Sequence, residues 1–291
     1  MAKHWMRLDP SRTKTLRQKF MRDAGRRFRQ LNRAVWELVA KDDAFALEEK
    51  KETSLIRMAE RRRYQFLTSP QKLKQFQSWL QQQIDAKVLE VNLPAGQSPW
   101  TATYVESAWR KGMMRSYTDV HKDTLAVTPS WYQGTKEQFV QSAFMQPEMM
   151  SKVELLATRS FENMKGVTQT VSSQLSRILA DGMAHGKGPY AVAREMRKSI
   201  GSLTKRRAMT IARTEIIHAH AEGQLDGYTL LGVEDVTAEV EWSTAGDVLV
   251  CELCEGMEGE TYKVEDAHGL IPLHPNCRCA WTPAAIIGKK K

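Results

Sequence analysis

The sequence predicts an α+β protein, with a mostly α-helical N-terminal two-thirds and a small C-terminal β-sheet module that carries a Cys/His metal site. Three observations predict it. Apolar residues recur every three or four positions through most of residues 12–221, the period of a helix buried on one face. At Val236 the period becomes two, that of a strand with one wet face. All four cysteines of the 291 residues fall between Asp247 and Trp281.

In residues 12–41, Leu16, Phe20, Ala24, Phe28, Leu31, Val35 and Leu38 form one continuous stripe, which predicts a long amphipathic helix starting near Pro10-Ser11 and ending at Lys41-Asp42-Asp43. Its other face carries Arg17, Lys19, Arg22, Arg26, Arg27, Arg29 and Arg33. Residues 48–63 are charged and weakly patterned, and fit either a second exposed helix or a connector. Ser69-Pro70 opens a helix through Leu73, Phe76, Leu80, Ile84 and Val88, and Pro94 to Pro99 closes it. Trp100 to His121 reads as a helix whose aromatic residues belong to the core, and helices resume at Lys136. Residues 151–223 predict three or four short helices, at about 152–164, 168–183, 189–200 and 204–221, with breaks at Gly182 to Gly188 and at Gly201-Ser202. Val236, Ala238, Val240 and Trp242 predict a strand; Thr261 to Val264 and Arg278 to Trp281 are shorter strand candidates. From Ile286 onward, Gly288 and three lysines read as a disordered tail. The expected division is a basic helical arm at 1–63, a helical region at 64–150, a third region at 151–285 made of helices to 223 and a β module at 236–283, and a basic tail at 286–291.

Charge is unevenly placed. The chain carries a formal +9, and residues 1–75 alone hold 20 Lys or Arg against 9 Asp or Glu. Such an arm suits a polyanion or an acidic protein surface, although a solvated helix face would look the same. No apolar run is long enough to span a bilayer, and MAKHWMRLDP lacks the apolar core of a signal peptide.

The cysteines form Cys251-x2-Cys254 and, beyond His274, Cys277-x-Cys279. A C-x2-C turn aims two thiolates at one ion, and a second loop can complete a tetrahedral zinc shell. Five candidates compete for four places. His274 with Cys277 has the more usual reach for a shared ion, which leaves Cys279 as the alternate. Two disulfides or free thiols are the competing outcomes; without a signal peptide, structural zinc is the expected cofactor. His218 and His220, two residues apart on a helix, face different sides and are read as structural or solvent-exposed, not as a shared metal pair. Arg213 and Glu215 are read as a charged network tying their helix to the cysteine segment.

The order Ala212-Arg213-Thr214-Glu215, Trp242, Gly246-Asp247, Cys251-x2-Cys254, Gly259, Pro272, His274-Pro-Asn-Cys-Arg-Cys279 and Pro283 resembles the phage Mu F-like head morphogenesis family, over about residues 165–283. The resemblance implies a minor capsid protein of a tailed phage or prophage, located in the virion after assembly in the host cytoplasm. Its partners would be the portal protein, the major capsid protein and packaged DNA. It implies no enzymatic activity, and no membrane or small-molecule partner. Two other classes are weighed against it. A metal-dependent nuclease would use His268 and His274, with Asp247 or Asp266 on a second ion; however, His274 stands before prolines and cysteines instead of in a His-Asn or His-His constellation. A zinc-ribbon nucleic-acid-binding protein would need basic residues around the knuckle, where Glu252, Glu255, Glu258 and Glu260 stand instead.

Overall fold

A computed structural model describes residues 9–47, 64, 67–94, 96–121, 134–231 and 236–288. Six helices precede a small sheet: α1 (Lys14–Trp36), α2 (Ser69–Ile84), α3 (Trp100–Val120), α4 (Lys136–Phe144), α5 (Pro147–Ala184) and α6 (Pro189–Leu230). α1 buries the predicted stripe, with Phe20, Ala24, Phe28, Leu31 and Val35 all essentially solvent-free. It then runs into a π-helical turn, Glu37–Lys41, that buries Leu38, Val39 and Ala40 together. α2 ends in a similar turn, Asp85–Leu89. At the start of α4, Thr135 Oγ1 accepts from the Gln138 N–H at 3.2 Å, while the Thr135 N–H donates to Gln138 Oε1 at 2.8 Å. This reciprocal cap gives acceptors to two backbone donors at the helix start. The charged stretch 48–63 lies outside the described residues.

Residues 147–230 form two long helices of 38 and 42 residues, not the three or four short ones expected. The break at Gly186 is real, with φ +62°, but Gly166 and Gly201-Ser202 lie within helices. The reason is burial. The stripe Met164, Val167, Val171, Leu175 and Leu179 runs through α5 unbroken, and Val192, Met196, Ile200, Thr204 and Ala208 carry α6 past Gly201. A glycine costs a helix interior only about 1 kcal/mol relative to alanine, which a continuous apolar face easily offsets.

The chain divides into two compact units, neither contiguous in sequence: Met1–Phe20 with Trp100–Phe161 and Met209–Lys291, and Met21–Pro99 with Glu162–Ala208. In the second unit, Phe45 packs edge-on against Phe76 at 5.7 Å and Trp36 against Tyr190 at 6.1 Å. The first unit holds a core of Val105, Trp109, Met113, Phe139, Ile216, Leu225, Tyr228, Trp242, Ile271, Cys277 and Trp281, among others. In that core α3 and the second half of α6 cross at backbone contact. A Cβ on Gly112 would stand 2.2 Å from the His220 carbonyl oxygen, and one on Gly223 would stand 2.2 Å from the Trp109 carbonyl oxygen.

The sheet has three antiparallel strands in the order β2-β1-β3: β1 (Val236–Ser243), β2 (Thr261–Lys263) and β3 (Ala280–Gly288). Trp242 stands opposite Trp281 across the β1–β3 ladder, with ring centroids 5.4 Å apart. Val240 and Trp242 are buried, whereas Glu239, Glu241 and Ser243 keep partial exposure, so the predicted alternation holds where side chains are described. β3 is longer than expected. Instead of forming a tail, Ile286, Ile287 and Gly288 pair with Ala238, Thr237 and Val236. Two single-turn helices, α7 (Glu252–Glu255) and α8 (Val264–Ala267), complete the module.

Candidate metal centre

The sheet brings both cysteine motifs to one point. β1 delivers the chain to Cys251, the N-cap of α7, and the last turn before β3 delivers His274, Cys277 and Cys279. His274 Nε2 lies 3.2 Å from Cys251 Sγ and 3.1 Å from Cys254 Sγ, and Cys254 Sγ lies 3.9 Å from Cys277 Sγ. Two triplets of ligand atoms, each within 4.8 Å of one another, share Cys254: Cys251-Cys254-His274 and Cys254-Cys277-Cys279. All four thiols are free, so the disulfide alternative does not describe this structure. A tetrahedral ion with metal–sulfur bonds of about 2.3 Å would set its sulfurs about 3.8 Å apart. The Cys254–Cys277 separation matches that spacing. A cavity of about 20 Å³ is lined in part by Cys251, Cys254, His274 and Cys279, which is room for one ion and little else. The residues therefore fit a single metal ion, with Cys277 or Cys279 beside Cys251, Cys254 and His274.

The electrostatics of the cluster are those of thiols sharing protons. Hydrogen bonding from Cys279 pulls Cys277 down to about 5, and the thiol of Cys279 is pushed far up by holding that proton and by burial. Burial and the nearby Cys277 push Cys254 up to about 12. The backbone N–H of Cys254 lowers Cys251. For His274 burial works against the charged form, but the Pro275 carbonyl and the charges of Cys277 and Cys251 raise it on balance. Nδ1 of His274 sits 2.8 Å from that carbonyl, which leaves Nε2 to face the sulfurs.

α6 braces this loop. Asn276 takes a left-handed conformation, φ 67°, which asparagine tolerates better than most residues. Its backbone N–H donates to Thr214 Oγ1 and its Nδ2 to Thr210 Oγ1, both at 3.1 Å. Two turns further on, Glu222 accepts from the Gly269 N–H at 2.8 Å and pairs with His268 Nδ1 at 2.7 Å. Gln224 Nε2 donates to the Trp281 carbonyl at 3.1 Å. Arg278 forks onto both carboxylate oxygens of Asp247, which holds Asp247 down at about 2. A tie between helix and cysteine segment thus exists, through residues beyond those expected. Thr210, Thr214, Glu222 and Gln224 form it, while Glu215 pairs with Arg159 of α5 at 3.5 Å. Only the helical periodicity beyond Glu215 could have pointed to Glu222, since it lies on the same face two turns on.

The nuclease candidates are also placed. His268 is engaged with Glu222, His274 with two sulfurs and Asp247 with Arg278, while Asp266 is exposed on α8. Of the seven basic residues predicted on the polar face of α1, Lys19, Arg22, Arg26, Arg29 and Arg33 are exposed. Arg17 and Arg27 are not. Arg17 bonds Asp9 at 2.7 Å, and Arg27 is 7% exposed and pairs with Glu90 at 2.5 Å. A one-dimensional wheel separates apolar from basic faces and cannot see which arginines at their boundary fold inward.

His218 and His220 are both buried, and neither belongs to the metal-type clusters found among the described residues. Burial first, then Arg159, lowers His218 to about 4; burial first, then Arg115, lowers His220 to about 3. A histidine depressed in the folded state takes up protons more readily when unfolded. Its stability contribution is therefore complete above about pH 6.5 and is lost as the pH falls towards the folded value. Each should cost about 2–3 kcal/mol between pH 7 and pH 4.5. Urea unfolding at the two pH values measures this. An unchanged midpoint would mean that both imidazoles are solvated.

No helix among the described residues is long and apolar enough to cross a membrane. No curated protein and no solved structure matches the chain. Residues 173–282 match the family described as Phage Mu protein F like protein. That span contains the rear of α5, the whole of α6, and the sheet with its thiol cluster up to Thr282. Over residues 173–282, the portion that builds and braces the Cys/His centre, this chain is similar to the Phage Mu protein F like family.

Proposed function

We propose that this chain is a minor capsid protein of a tailed phage or prophage, a virion component that assists head assembly, DNA packaging or ejection from a position beside the portal and the capsid interior. The observation that carries the reading is the coincidence of the family match with the module that the thiol cluster closes. In this role the protein acts by docking, and needs no active site. Zinc is the ion that three thiolates and one imidazole in a tetrahedral arrangement suit best. Cys251, Cys254, His274 and Cys277 would hold it, with Cys279 the alternate. When bound, it would supply folding free energy to a sheet of three short strands. Mass spectrometry of purified particles tests the reading directly. The chain is expected in the head fraction, in fewer copies than the major capsid protein. Its absence from particles that contain the portal protein would overturn it.

Packaged DNA is the polyanion that this reading offers to α1. Five exposed cations, Lys19, Arg22, Arg26, Arg29 and Arg33, would each neutralise a phosphate and release counterions. Binding of the full-length protein to duplex DNA should then fall with a log–log salt slope of about −4 to −5, with little sequence preference. Replacing Arg22, Arg26, Arg29 and Arg33 by Gln should bring the slope to about −1. A salt-independent affinity would assign the positive face to a protein partner.

A further inference from the structure

The β module differs in charge from the chain that carries it. Residues 236–288 hold nine Asp or Glu against only Lys263 and Arg278, whereas the whole chain is +9. From Val248 to Tyr262 there is no basic residue at all, and Arg278 is already engaged by Asp247. Within this acidic surface stand four exposed aliphatic side chains: Val248 at 99%, Leu249 at 76%, Leu253 at 69% and Leu273 at 43%. Single exposed leucines are ordinary on a protein surface; several gathered in one place are not.

The thiol cluster is what gathers them. Leu253 lies between Cys251 and Cys254, whose sulfurs both sit against His274 Nε2. Leu273 is the residue before His274, and Leu249 lines the same small cavity as Cys251, Cys254 and His274. Val248 precedes Leu249. Each of the four is one to three residues from a cluster member, so every one lies within about 11 Å of backbone reach of the cluster. Glu252 and Glu255, both exposed, flank Leu253 on α7.

We propose that this tip, Val248, Leu249, Leu253 and Leu273 rimmed by Glu252 and Glu255, is a docking surface for a different protein, and that it takes a cationic segment presenting one or two large apolar anchors between Lys or Arg residues. The charge decides the occupant. Carboxylates that gain nothing from phosphate repel nucleic acid and anionic lipid alike, but they steer and orient a basic polypeptide while the aliphatic side chains bury its anchors. A second copy of this chain, basic mainly in its first 75 residues, is the competing occupant that the self-association measurement below separates from a different protein. The proposal rests on the reading of the chain as an assembly component and adds to it the surface used and the chemistry of the partner.

The test is made in solution, so its failure leaves the virion assignment untouched. The probes are two helical peptides of about 16 residues with Leu at i and i+4, one flanked by Lys and Arg, the other with those cations replaced by Glu. Full-length protein is titrated with each by fluorescence anisotropy. The cationic peptide should bind at least tenfold more tightly than its acidic counterpart. The Leu249→Ser/Leu253→Ser variant should lose tenfold or more at every salt concentration, and the Glu252→Gln/Glu255→Gln variant should flatten the salt dependence while retaining the anchors. Unchanged metal content and unchanged Trp fluorescence show that each variant is folded. Equal binding by the serine variant overturns the proposal, as does equal binding of the two peptides. Concentration-dependent self-association of the wild type that the serine variant abolishes would assign the tip to a second copy and overturn it as well.

Discussion

Replacing Cys254 by Ser is expected to release the metal and unfold residues 236–288 while leaving most of the helical signal intact. Cys254 is the member shared by both ligand triplets, 3.1 Å from His274 Nε2 and 3.9 Å from Cys277 Sγ, and its loss breaks both at once. Structural zinc contributes on the order of 10 kcal/mol of binding free energy before the cost of ordering its loops, which is comparable to the whole net stability of a typical domain. The strand contribution cannot replace it, since β2 has only three residues. The readout is the emission of Trp242 and Trp281, both buried and stacked edge-on in the intact sheet. They should shift to a solvated spectrum in Cys254→Ser. If Cys277 is the fourth ligand, Cys279→Ser should retain the metal and the native emission, and Cys277→Ser should lose both; the reverse result would make Cys279 the ligand. A Cys254→Ser protein with native Trp emission would show that the sheet stands without the cluster.

The second large effect lies in the helices that carry the module. Gly223→Val should destabilise the first unit by about 3–5 kcal/mol, because the new Cβ would meet the Trp109 carbonyl at 2.2 Å and its carbon and Cα at 2.9 Å. Backbone atoms have no rotamer to escape into. α3 must move away, which opens the core around Trp109, whose indole N–H donates to the buried carboxylate of Asp226 at 2.8 Å. Gly201→Ala is the matched control. That glycine sits in helix with nothing within 4 Å of its would-be Cβ, so alanine should be neutral or stabilising by up to about 1 kcal/mol. Thermal unfolding of both variants checks the pair, and a tolerated Gly223→Val would mean that the two helices do not cross at backbone contact.

The glycines show why the fold was legible in sequence only in part. Gly166, Gly201 and Gly223 look alike in a helical pattern. The first two leave open space, and the third is a contact surface between helices 114 residues apart in sequence from Trp109 to Gly223. Local punctuation favoured breaks at Gly201-Ser202, whereas the buried stripe through Ile200, Thr204 and Ala208 decided for continuity. The fold class, the strand at Val236 and the convergence of both cysteine motifs were readable because each depends on spacing alone. Ile286 to Gly288 were misread as tail because their pairing with Val236 to Ala238 depends on a partner some fifty residues earlier. For the same reason Glu222, which joins α6 to His268 and Gly269, escaped a reading that stopped at the Ala-Arg-Thr-Glu signature.

The central claim is that a metal ion closes the Mu F-like module, and elemental analysis of the reduced, soluble full-length protein tests it most directly. The account predicts about one zinc per chain, removed by chelation together with the native emission of Trp242 and Trp281 and restored with it when zinc is returned. A metal-free protein with the same native emission would contradict it.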